Sequence, residues 1–389
     1  MSALPARPPR RAVRAGVRVA LPALGALFAA GLGTGPVHAQ FTPVEAALSA
    51  FDAEVAAAVA EDAGGVVSVA VFHGDEIVWR KGWGWADIEN RLPGTAATIG
   101  RTGSISKTFT AIVLMGLVER GVVELDGSVA AYLPEVLELR DPPLDPATIT
   151  FRQLASHTAG LQREPDLAGA ASGPIHRWED RVLASIPETG FLTPPGTEYS
   201  YSNIGYGMLG LALQRAAGMD FMELMASIIF EPLGLTDTFF VLENPDHIRR
   251  MSVGYSRGRD GGISAERATR EHFGRGYKVP NGGVYSTVTD LARFASAMMG
   301  TSDIAILSPE TRAEIVTPQA PAEGYGIGLQ LSSRDGLRTA GHGGSVAGYN
   351  ANLVFDPATG WGVAMLRTTG YNPPTRDLLV EIVEADTAR

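Results

Sequence analysis

Gly103-Ser104-Ile105-Ser106-Lys107-Thr108 opens a helical pattern over residues 104–120 that ends at Gly121, a favourable C-terminal cap. On a helix, Ser104 and Lys107 share one face, with their Cβ atoms about 5–6 Å apart. A neutral lysine amine there could accept the serine proton, and the helix N-terminus favours an oxyanion over an ammonium. The stretch predicts a serine nucleophile with a lysine base. Taken alone, the stretch is more typical of a serine that caps the helix and a solvated lysine.

A second motif follows the turn at residues 194–200, where Tyr201 and Asn203 precede a helical segment. A tyrosine beside a lysine ammonium can have a lowered pKa and relay a proton to a leaving group. An asparagine amide can bind a substrate carbonyl. The alternative is a buried tyrosine with a satisfied hydroxyl and an asparagine that caps the helix.

The third motif is a glycine-rich strand end, Ala340-Gly341-His342-Gly343-Gly344-Ser345. Glycine lets another backbone approach closely. Such an edge could pair with an extended substrate and direct one N–H at a reacting carbonyl oxygen, with His342 lining the pocket. The alternative is a bulge with an incidental histidine. A nucleophile elbow is excluded because Ala347 stands where its second glycine belongs.

Strand and helix patterns place these motifs in one fold. A helix begins at the capping box of Thr42 and Glu45, with Pro43 at its first position. Strand patterns cover residues 66–72, 76–83, 325–331, 337–341, 350–355 and 361–368, and Asn372-Pro373 begins a last helix. This order predicts an α+β fold in which both chain ends build one antiparallel sheet, flanked by the terminal helices, with an inserted all-helical domain.

The predicted domain boundaries follow from that order. Residues 41–110 and 280–389 would form a discontinuous sheet domain, and residues 111–279 the helical domain. The polar stretch 257–278 shows no period and predicts a long surface loop. It holds six cations against three acids, so we hypothesise that it borders the cleft and attracts a substrate carboxylate. A solvated loop is the alternative. The cations are Arg257, Arg259, Arg267, Arg270, Arg275 and Lys278.

Residues 1–40 differ from the rest of the chain, since they carry five arginines and no acidic residue. An apolar run at residues 19–32 is followed by Val37-His38-Ala39-Gln40. This pattern predicts a secretory signal peptide at residues 1–39, cleaved near Ala39, and a periplasmic or secreted protein without a stable membrane anchor. An uncleaved anchor is the alternative, although the apolar run is short for a bilayer of about 30 Å.

Composition excludes several kinds of chemistry. The 389 residues are 45% hydrophobic, which suits a large folded unit, and contain no cysteine, which excludes thiol catalysis, cysteine-ligated metals and disulfides. Ser106 precedes Lys107 where a phosphate-binding loop has glycine, and the seven histidines form no H-E-x-x-H motif. No cofactor or metal is expected. Beyond residue 40 the net charge is −15, so nucleic acid is not an expected partner.

The three motifs, in this order, resemble the serine β-lactamases and penicillin-recognising hydrolases, in particular the branch of class C β-lactamases, D,D-peptidases, D-aminopeptidases and family VIII carboxylesterases. Residues 154–161, 230–238 and 282–291 are similar to recurrent segments of that branch. The resemblance covers a single unit at about residues 45–385. The family's fold, an antiparallel sheet with helices plus a helical domain, agrees with the architecture predicted above.

The resemblance implies a role for each motif residue. Ser104 would be the acylated nucleophile, Lys107 its base, and Tyr201 a partner in proton transfer to the leaving group. Asn203 would contact substrate. The backbone N–H groups of Ser104 and Ser345 would form the oxyanion hole, whose single donors are worth about 2.7–4 kcal/mol.

His342, Gly343 and Gly344 would contribute to substrate binding, and His157 would be structural. Efficient class C β-lactamases resemble this chain but carry a lysine at the position of His342, and histidine is mostly neutral at pH 7. In this respect the chain is more similar to the D,D-peptidase, D-aminopeptidase and esterase members, and weak or slow β-lactam hydrolysis is expected rather than efficient hydrolysis.

The sequence therefore predicts an exported serine hydrolase that acts through an acyl-enzyme on esters, D-amino-acid peptides or β-lactams, with a small-molecule or peptide acyl substrate as its partner. Two alternatives stay open. One is a catalytically weak penicillin- or peptidoglycan-binding protein. The other is a transacylase, which passes the acyl group to an amine or alcohol instead of water.

Overall fold

The structure, a computed structural model, describes residues 42–62, 64–258, 262–334 and 336–387. The predicted signal peptide lies outside these residues, as do Arg259 and Gln40. Among the helices of the described ranges, none has both the length and the apolar character needed to cross a bilayer.

The main sheet contains seven strands in the described residues, in the order β3-β2-β1-β11-β10-β9-β8, and every neighbouring pair is antiparallel. N-terminal β1 pairs with β11 near the C-terminus, so the predicted sheet from both chain ends is confirmed. The strands are β1 (Val66–His73), β2 (Glu76–Asp87), β3 (Leu92–Pro93), β4 (Gly100–Arg101), β5 (Ser256–Arg257), β6 (Ile263–Ser264), β7 (Tyr285–Ser286), β8 (Gln330–Arg334), β9 (Leu337–Val346), β10 (Tyr349–Phe355) and β11 (Trp361–Arg367).

Most helices lie between β4 and β8, as the inserted helical region predicts. The helices are α1 (Pro43–Asp62), α2 (Ser106–Glu119), α3 (Phe151–Ala155), α4 (Trp178–Ser185), α5 (Asn203–Ala217), α6 (Phe221–Met225), α7 (Pro245–Arg250), α8 (Glu266–Glu271), α9 (Val279–Gly282), α10 (Val288–Met299), α11 (Pro309–Ile315) and α12 (Thr375–Thr387). The predicted helical domain, residues 111–279, is not purely helical, because the short pair β5–β6 lies within it.

Both faces of the sheet are buried. Alternate residues of β1 point to opposite faces, and Val69 joins the cluster that contains residues of α1 and α12, whereas Ala70 joins the larger helical core. The predicted capping box of α1 is confirmed: Thr42 N donates to Glu45 Oε2 (2.7 Å) and Glu45 N donates to Thr42 Oγ1 (3.2 Å). The terminal helices therefore cover one face and the inserted helices the other.

Helix α2 runs through the larger core, and all of its residues from Ser106 to Leu117 are buried. Phe109 stacks on Phe294 of α10 with 3.8 Å between the ring centroids. A helix surrounded by protein on every side carries its first-turn side chains into the interior, which places Lys107 away from bulk water.

The structure differs from the sequence prediction in three segments. Residues 257–278 contain β6 and α8 where a surface loop was predicted, and Tyr277 at their end is fully buried. Strand β8 begins at Gln330 rather than 325, because the preceding residues form turns. Strand β9 continues to Val346, five residues beyond the predicted end, because its glycines pair with β10.

Candidate active site

Ser104 lies in a single 3₁₀ turn, Gly103–Ile105, that leads into α2. The end of β9 packs directly on this turn. A Cβ on Gly103 would lie 2.7 Å from Ser345 N, and one on Gly344 would lie 1.9 Å from Thr102 O and 3.1 Å from Ser104 N. The two backbones are in contact only because both positions lack a side chain.

This contact brings the predicted oxyanion-hole residues together. On one side β9 pairs with β10 from Ala340 to Val346, but in the described residues its pairing with β8 ends at Gly341. Beyond that point Gly343 N donates to the Gln330 side chain (3.2 Å), and the strand edge runs on to Ser345 beside Ser104. Two adjacent backbones at an open strand edge are the arrangement that a pair of N–H donors to an oxyanion requires.

Lys107 is fully buried and its Nζ lies 3.2 Å from Ser104 Oγ. The same nitrogen lies 2.8 Å from Asn203 Oδ1 and 3.3 Å from the Asn281 carbonyl oxygen. Burial, followed by the positive charges of Lys278, Arg163 and Arg275, holds the pKa of Lys107 well below its ordinary value. These effects favour the neutral amine, which is the form that can accept a proton from Ser104.

Tyr201 also contacts Ser104 through its hydroxyl, but its pKa moves in the opposite direction to the one predicted. Burial raises the pKa of Tyr201 to about 12, and the hydrogen bond with Ser104 offsets this only partly. The expected lowering by a neighbouring ammonium is wrong because burial dominates and because Lys107, whose Nζ lies 4.7 Å from the centroid of the Tyr201 ring, favours its neutral form. Tyr201 is thus a neutral phenol that can donate a proton, and Lys107 is the group suited to accept one.

Asn203 is the first residue of α5 and does not cap it. The cap is Ser202, whose hydroxyl accepts from Gly205 N (3.0 Å). Both ends of the Asn203 amide are engaged, since Oδ1 faces Lys107 and Nδ2 donates to Glu164 Oε1 (2.6 Å). Asn203 lies at the site as predicted, with a geometry that holds the lysine; its contact with substrate stays a prediction.

His342 lies on β9 behind the strand edge and is only 2% exposed. Its Nδ1 lies 2.6 Å from the Gly343 carbonyl oxygen and its Nε2 lies 2.9 Å from the Tyr325 hydroxyl. A ring that donates from Nδ1 and accepts at Nε2 is neutral. Burial and the neighbouring Lys107 lower the pKa of His342 to about 3, so the expectation of an uncharged histidine at neutral pH is confirmed.

His157 supports the start of α5. Its backbone has a φ of +62°, and its buried Nδ1 accepts a hydrogen bond from Ser202 N (3.1 Å). The ring packs on Tyr201 with 4.2 Å between the centroids. These contacts agree with the predicted structural role for His157.

Sequence reasoning missed Glu164, which joins several parts of the site. Its carboxylate accepts from Asn203 Nδ2 and the Tyr277 hydroxyl, and Oε2 lies 3.0 Å from Lys278 Nζ. Burial opposes its ionisation, but these bonds and the Lys278 charge keep the pKa of Glu164 below its ordinary value. The only sequence signal near this cluster was the rarity of lysine, since the chain has three.

Two cavities meet at Ser104. One of about 680 Å³ is lined by Tyr201, Gln330 and the strand end from His342 to Ser345. Another of about 310 Å³ is lined by Arg163, Glu164, Arg267, Arg275 and Lys278. Segment 257–278 therefore borders the cleft, as hypothesised. Within the described residues, no group of three or more histidine or acidic side chains could hold a metal ion.

Comparison with known proteins identifies a family for this arrangement. The family model described as Beta-lactamase matches residues 51–386. The chain is 29% identical over 316 residues to a D-aminopeptidase of Gluconobacter oxydans, covering 78% of this chain and 55% of that protein. It is 28% identical over 368 residues to esterase EstB of Burkholderia gladioli, covering 84% and 91%.

A solved structure has the same fold. The D-amino acid amidase of Ochrobactrum anthropi, in complex with D-phenylalanine, superposes with a TM-score of 0.74 at 24% identity, covering 88% of this chain and all of that one. Several curated relatives are longer than this protein, which spans between 48% and 63% of the length of four of them.

Proposed function

Because the chain belongs to the beta-lactamase family, we propose that it is an exported serine hydrolase that forms an acyl-enzyme on Ser104. The observation that carries the proposal is the buried Lys107 amine, 3.2 Å from Ser104 Oγ, with a pKa held well below its ordinary value. A buried, neutral lysine amine is a base for the neighbouring serine hydroxyl.

Acylation follows from these positions. Ser104 Oγ attacks the substrate carbonyl carbon and its proton passes to Lys107 Nζ. The carbonyl oxygen becomes an oxyanion that accepts hydrogen bonds from the backbone N–H groups of Ser104 and Ser345. When the bond to the leaving group breaks, that group takes a proton from the Tyr201 hydroxyl, which is replenished from Lys107.

Deacylation reuses the same groups. Water attacks the acyl carbon and its proton passes to the Lys107 and Tyr201 pair. As the bond to the acyl carbon breaks, the Ser104 oxygen takes that proton and the acid product is released. Asn203 keeps Lys107 in place throughout, because its amide oxygen lies 2.8 Å from Nζ.

For substrates, we propose esters and D-aminoacyl compounds ahead of β-lactams. Support comes from the relatives, which are named D-aminopeptidase and esterase, and from His342. A neutral imidazole with both nitrogens engaged offers no fixed positive charge to a β-lactam carboxylate.

Export is proposed from residues 1–40, on their arginines, apolar run and small residues before Gln40. After expression in a Gram-negative host, N-terminal sequencing of the periplasmic protein should start at Gln40. A chain that keeps residues 1–39 and stays with the membrane fraction would support the uncleaved anchor.

The test of catalysis is hydrolysis of a short-chain 4-nitrophenyl ester by the purified protein and by Ser104→Ala. We expect wild-type turnover and a loss of at least about 10³-fold in the variant, because the nucleophile is gone. Mass spectrometry of a quenched reaction should show one acyl group on the wild type and none on Ser104→Ala.

Other outcomes select the alternatives. If both proteins are equally inert, or equally active, Ser104 is not a working nucleophile and the binding-protein reading replaces this one. If an added amine or alcohol takes most of the acyl group in place of water, the protein is a transacylase.

A further inference from the structure

The smaller cavity at Ser104 is unlike the rest of the molecule in its charge. Four cationic side chains and one carboxylate line its 310 Å³, whereas the whole chain has a net charge of −10. The cations are Arg163, Arg267, Arg275 and Lys278. They come from separate parts of the chain and converge on the nucleophile that the proposed function assigns.

We propose that this cavity binds a carboxylate carried by the acyl substrate, so that the protein prefers anionic substrates over neutral ones of the same shape. The inference rests on the proposed function for Ser104 as nucleophile. It adds a binding subsite, with Arg163 and Arg267 as the residues that contact the carboxylate.

The partners of each cation show which of them is available. Lys278 lies 3.0 Å from Glu164 and is 16% exposed, and Arg275 lies 2.9 Å from Glu271 and donates to the Gly282 carbonyl oxygen. These two cations are largely buried, and each forms an ion pair with the carboxylate beside it. Their role is to hold the wall of the cavity.

Arg163 and Arg267 are placed differently. Arg163 is 65% exposed and lies 3.9 Å from Glu164, and Arg267 is 69% exposed and lies 3.4 Å from Glu271. Each of those carboxylates already has a shorter ion pair, with Lys278 and Arg275. The cluster thus keeps a surplus of two positive charges on the arginines that face the cavity, and guanidinium groups bind carboxylates through paired N–H donors.

Arg163 also connects the cavity to the catalytic groups, because its guanidinium lies 4.9 Å from the centroid of the Tyr201 ring. A carboxylate bound there would be held beside the reacting bond. Since an arginine could act on Tyr201 or Lys107 as well as on substrate, the test must separate substrate binding from a general effect on catalysis.

The experiment uses matched esters. The mono-4-nitrophenyl ester of adipic acid carries a free carboxylate on the acyl chain, and its methyl-capped diester is neutral. A second pair, 4-(hexanoyloxy)benzoate and its methyl ester, carries the carboxylate on the leaving group. For each pair, the ratio of kcat/KM for the anionic ester to that for the capped ester is measured, which cancels any common effect on chemistry.

We expect that ratio to exceed one in the wild type for at least one pair and to fall about tenfold in the double variant Arg163→Gln/Arg267→Gln, mainly through KM, and by about threefold in each single variant. Added salt should lower the same ratio in the wild type. Arg270→Gln is the matched control: Arg270 lies on the same helix, is 70% exposed and does not line the cavity, so the ratio should not change.

Ratios that stay the same in the double variant for both pairs would overturn the subsite and leave the Ser104 mechanism intact. If the wild type hydrolyses none of the esters, the mechanism fails separately. Calorimetric binding of the four esters to Ser104→Ala then decides the subsite without turnover: tighter binding of an anionic ester, lost with both arginines, supports it, and equal binding of capped and anionic esters overturns it.

Discussion

The two walls of the cleft around Ser104 work in different ways. The sheet wall, residues 342–346 of β9, has no charged side chain and acts through its backbone, held against the Ser104 turn by glycine. The helical wall, formed by Arg163, Glu164, Asn203, Arg275 and Lys278, acts through charge, since its cations lower the pKa of Lys107 and its carboxylate opposes them. One wall depends on a fit that a single methyl group breaks. The other depends on electrostatic interactions, in which each charged side chain changes the pKa of Lys107 by a limited amount.

The sheet wall should therefore give the largest effect. In Gly344→Ala, the new Cβ would lie 1.9 Å from Thr102 O, so β9 must move away from the Ser104 turn and the two oxyanion donors separate. We expect kcat/KM for a neutral nitrophenyl ester to fall about 10²–10³-fold, the loss associated with one oxyanion donor.

Gly324→Ala is the control for a glycine substitution as such, because its Cβ would meet nothing closer than Leu331 O at 3.8 Å. Thermal unfolding of both variants separates lost alignment from lost folding. If a folded Gly344→Ala enzyme retains wild-type kcat/KM, the close contact of the two backbones is not what positions the donors.

The helical wall should respond in the pH profile. Lys107 must be neutral to act as base, so kcat/KM rises with pH through its pKa. Lys278→Gln removes a cation that lowers this pKa, and the acid limb should move to higher pH by about half a unit to one unit. Glu164→Gln removes the carboxylate that raises it, and the limb should move to lower pH.

The test is whether the acid limbs of the two variants shift in opposite directions. Loss of the Glu164–Lys278 ion pair alone would shift the acid limb of both variants in the same direction. The profile is measured with a neutral ester so that the substrate does not titrate. Titratable or charged groups facing Lys107 are Arg163, Glu164, Arg275, Lys278, Tyr201, Tyr206, His157 and His342. Shifts of equal sign would show that geometry at Asn203, rather than charge, controls the base.

The same contrast explains how much the sequence could predict. The sheet wall and the nucleophile are encoded in short stretches, Gly103–Lys107 and Gly341–Ser345, whose glycines and spacing have a local physical meaning, and the sheet order follows from strand patterns at the two chain ends. The helical wall is assembled from distant segments. Glu164 contacts Asn203, Tyr277 and Lys278 only after folding, so no local pattern marks it.

The direction of the pKa shift of Tyr201 was unpredictable for a related reason. The sequence placed a tyrosine near a lysine, but whether that lysine is buried and neutral, and whether it faces the hydroxyl or the ring, depends on how the chain before α5 packs on α2. The amine faces the ring, and burial then dominates. Proximity inferred from motifs does not include orientation, on which the sign of an electrostatic effect depends.

The smallest effect on catalysis should come from the charge state of the sheet wall. With a pKa of about 3, His342 is neutral throughout the range in which activity is measured, so His342→Gln should leave the position of the acid limb unchanged within about 0.2 pH units. If the acid limb shifted as far as in Lys278→Gln, His342 would carry charge near Lys107. The sheet wall would then act through charge, as the helical wall does.

His342 should instead affect stability in acid. Its pKa is about 3 in the folded protein and ordinarily about 6.5, so between these values the unfolded chain binds a proton that the folded chain does not. Stability from this residue is present above pH 6.5 and is lost as the pH falls. Between pH 6.5 and 5 the loss is about 1–2 kcal/mol.

Denaturant unfolding at both pH values should show a smaller loss in His342→Gln than in the wild type, whereas replacement of the exposed His176 by glutamine should leave the wild-type loss in place. Equal losses in all three proteins would mean that His342 is protonated in the fold at pH 5, which its burial opposes.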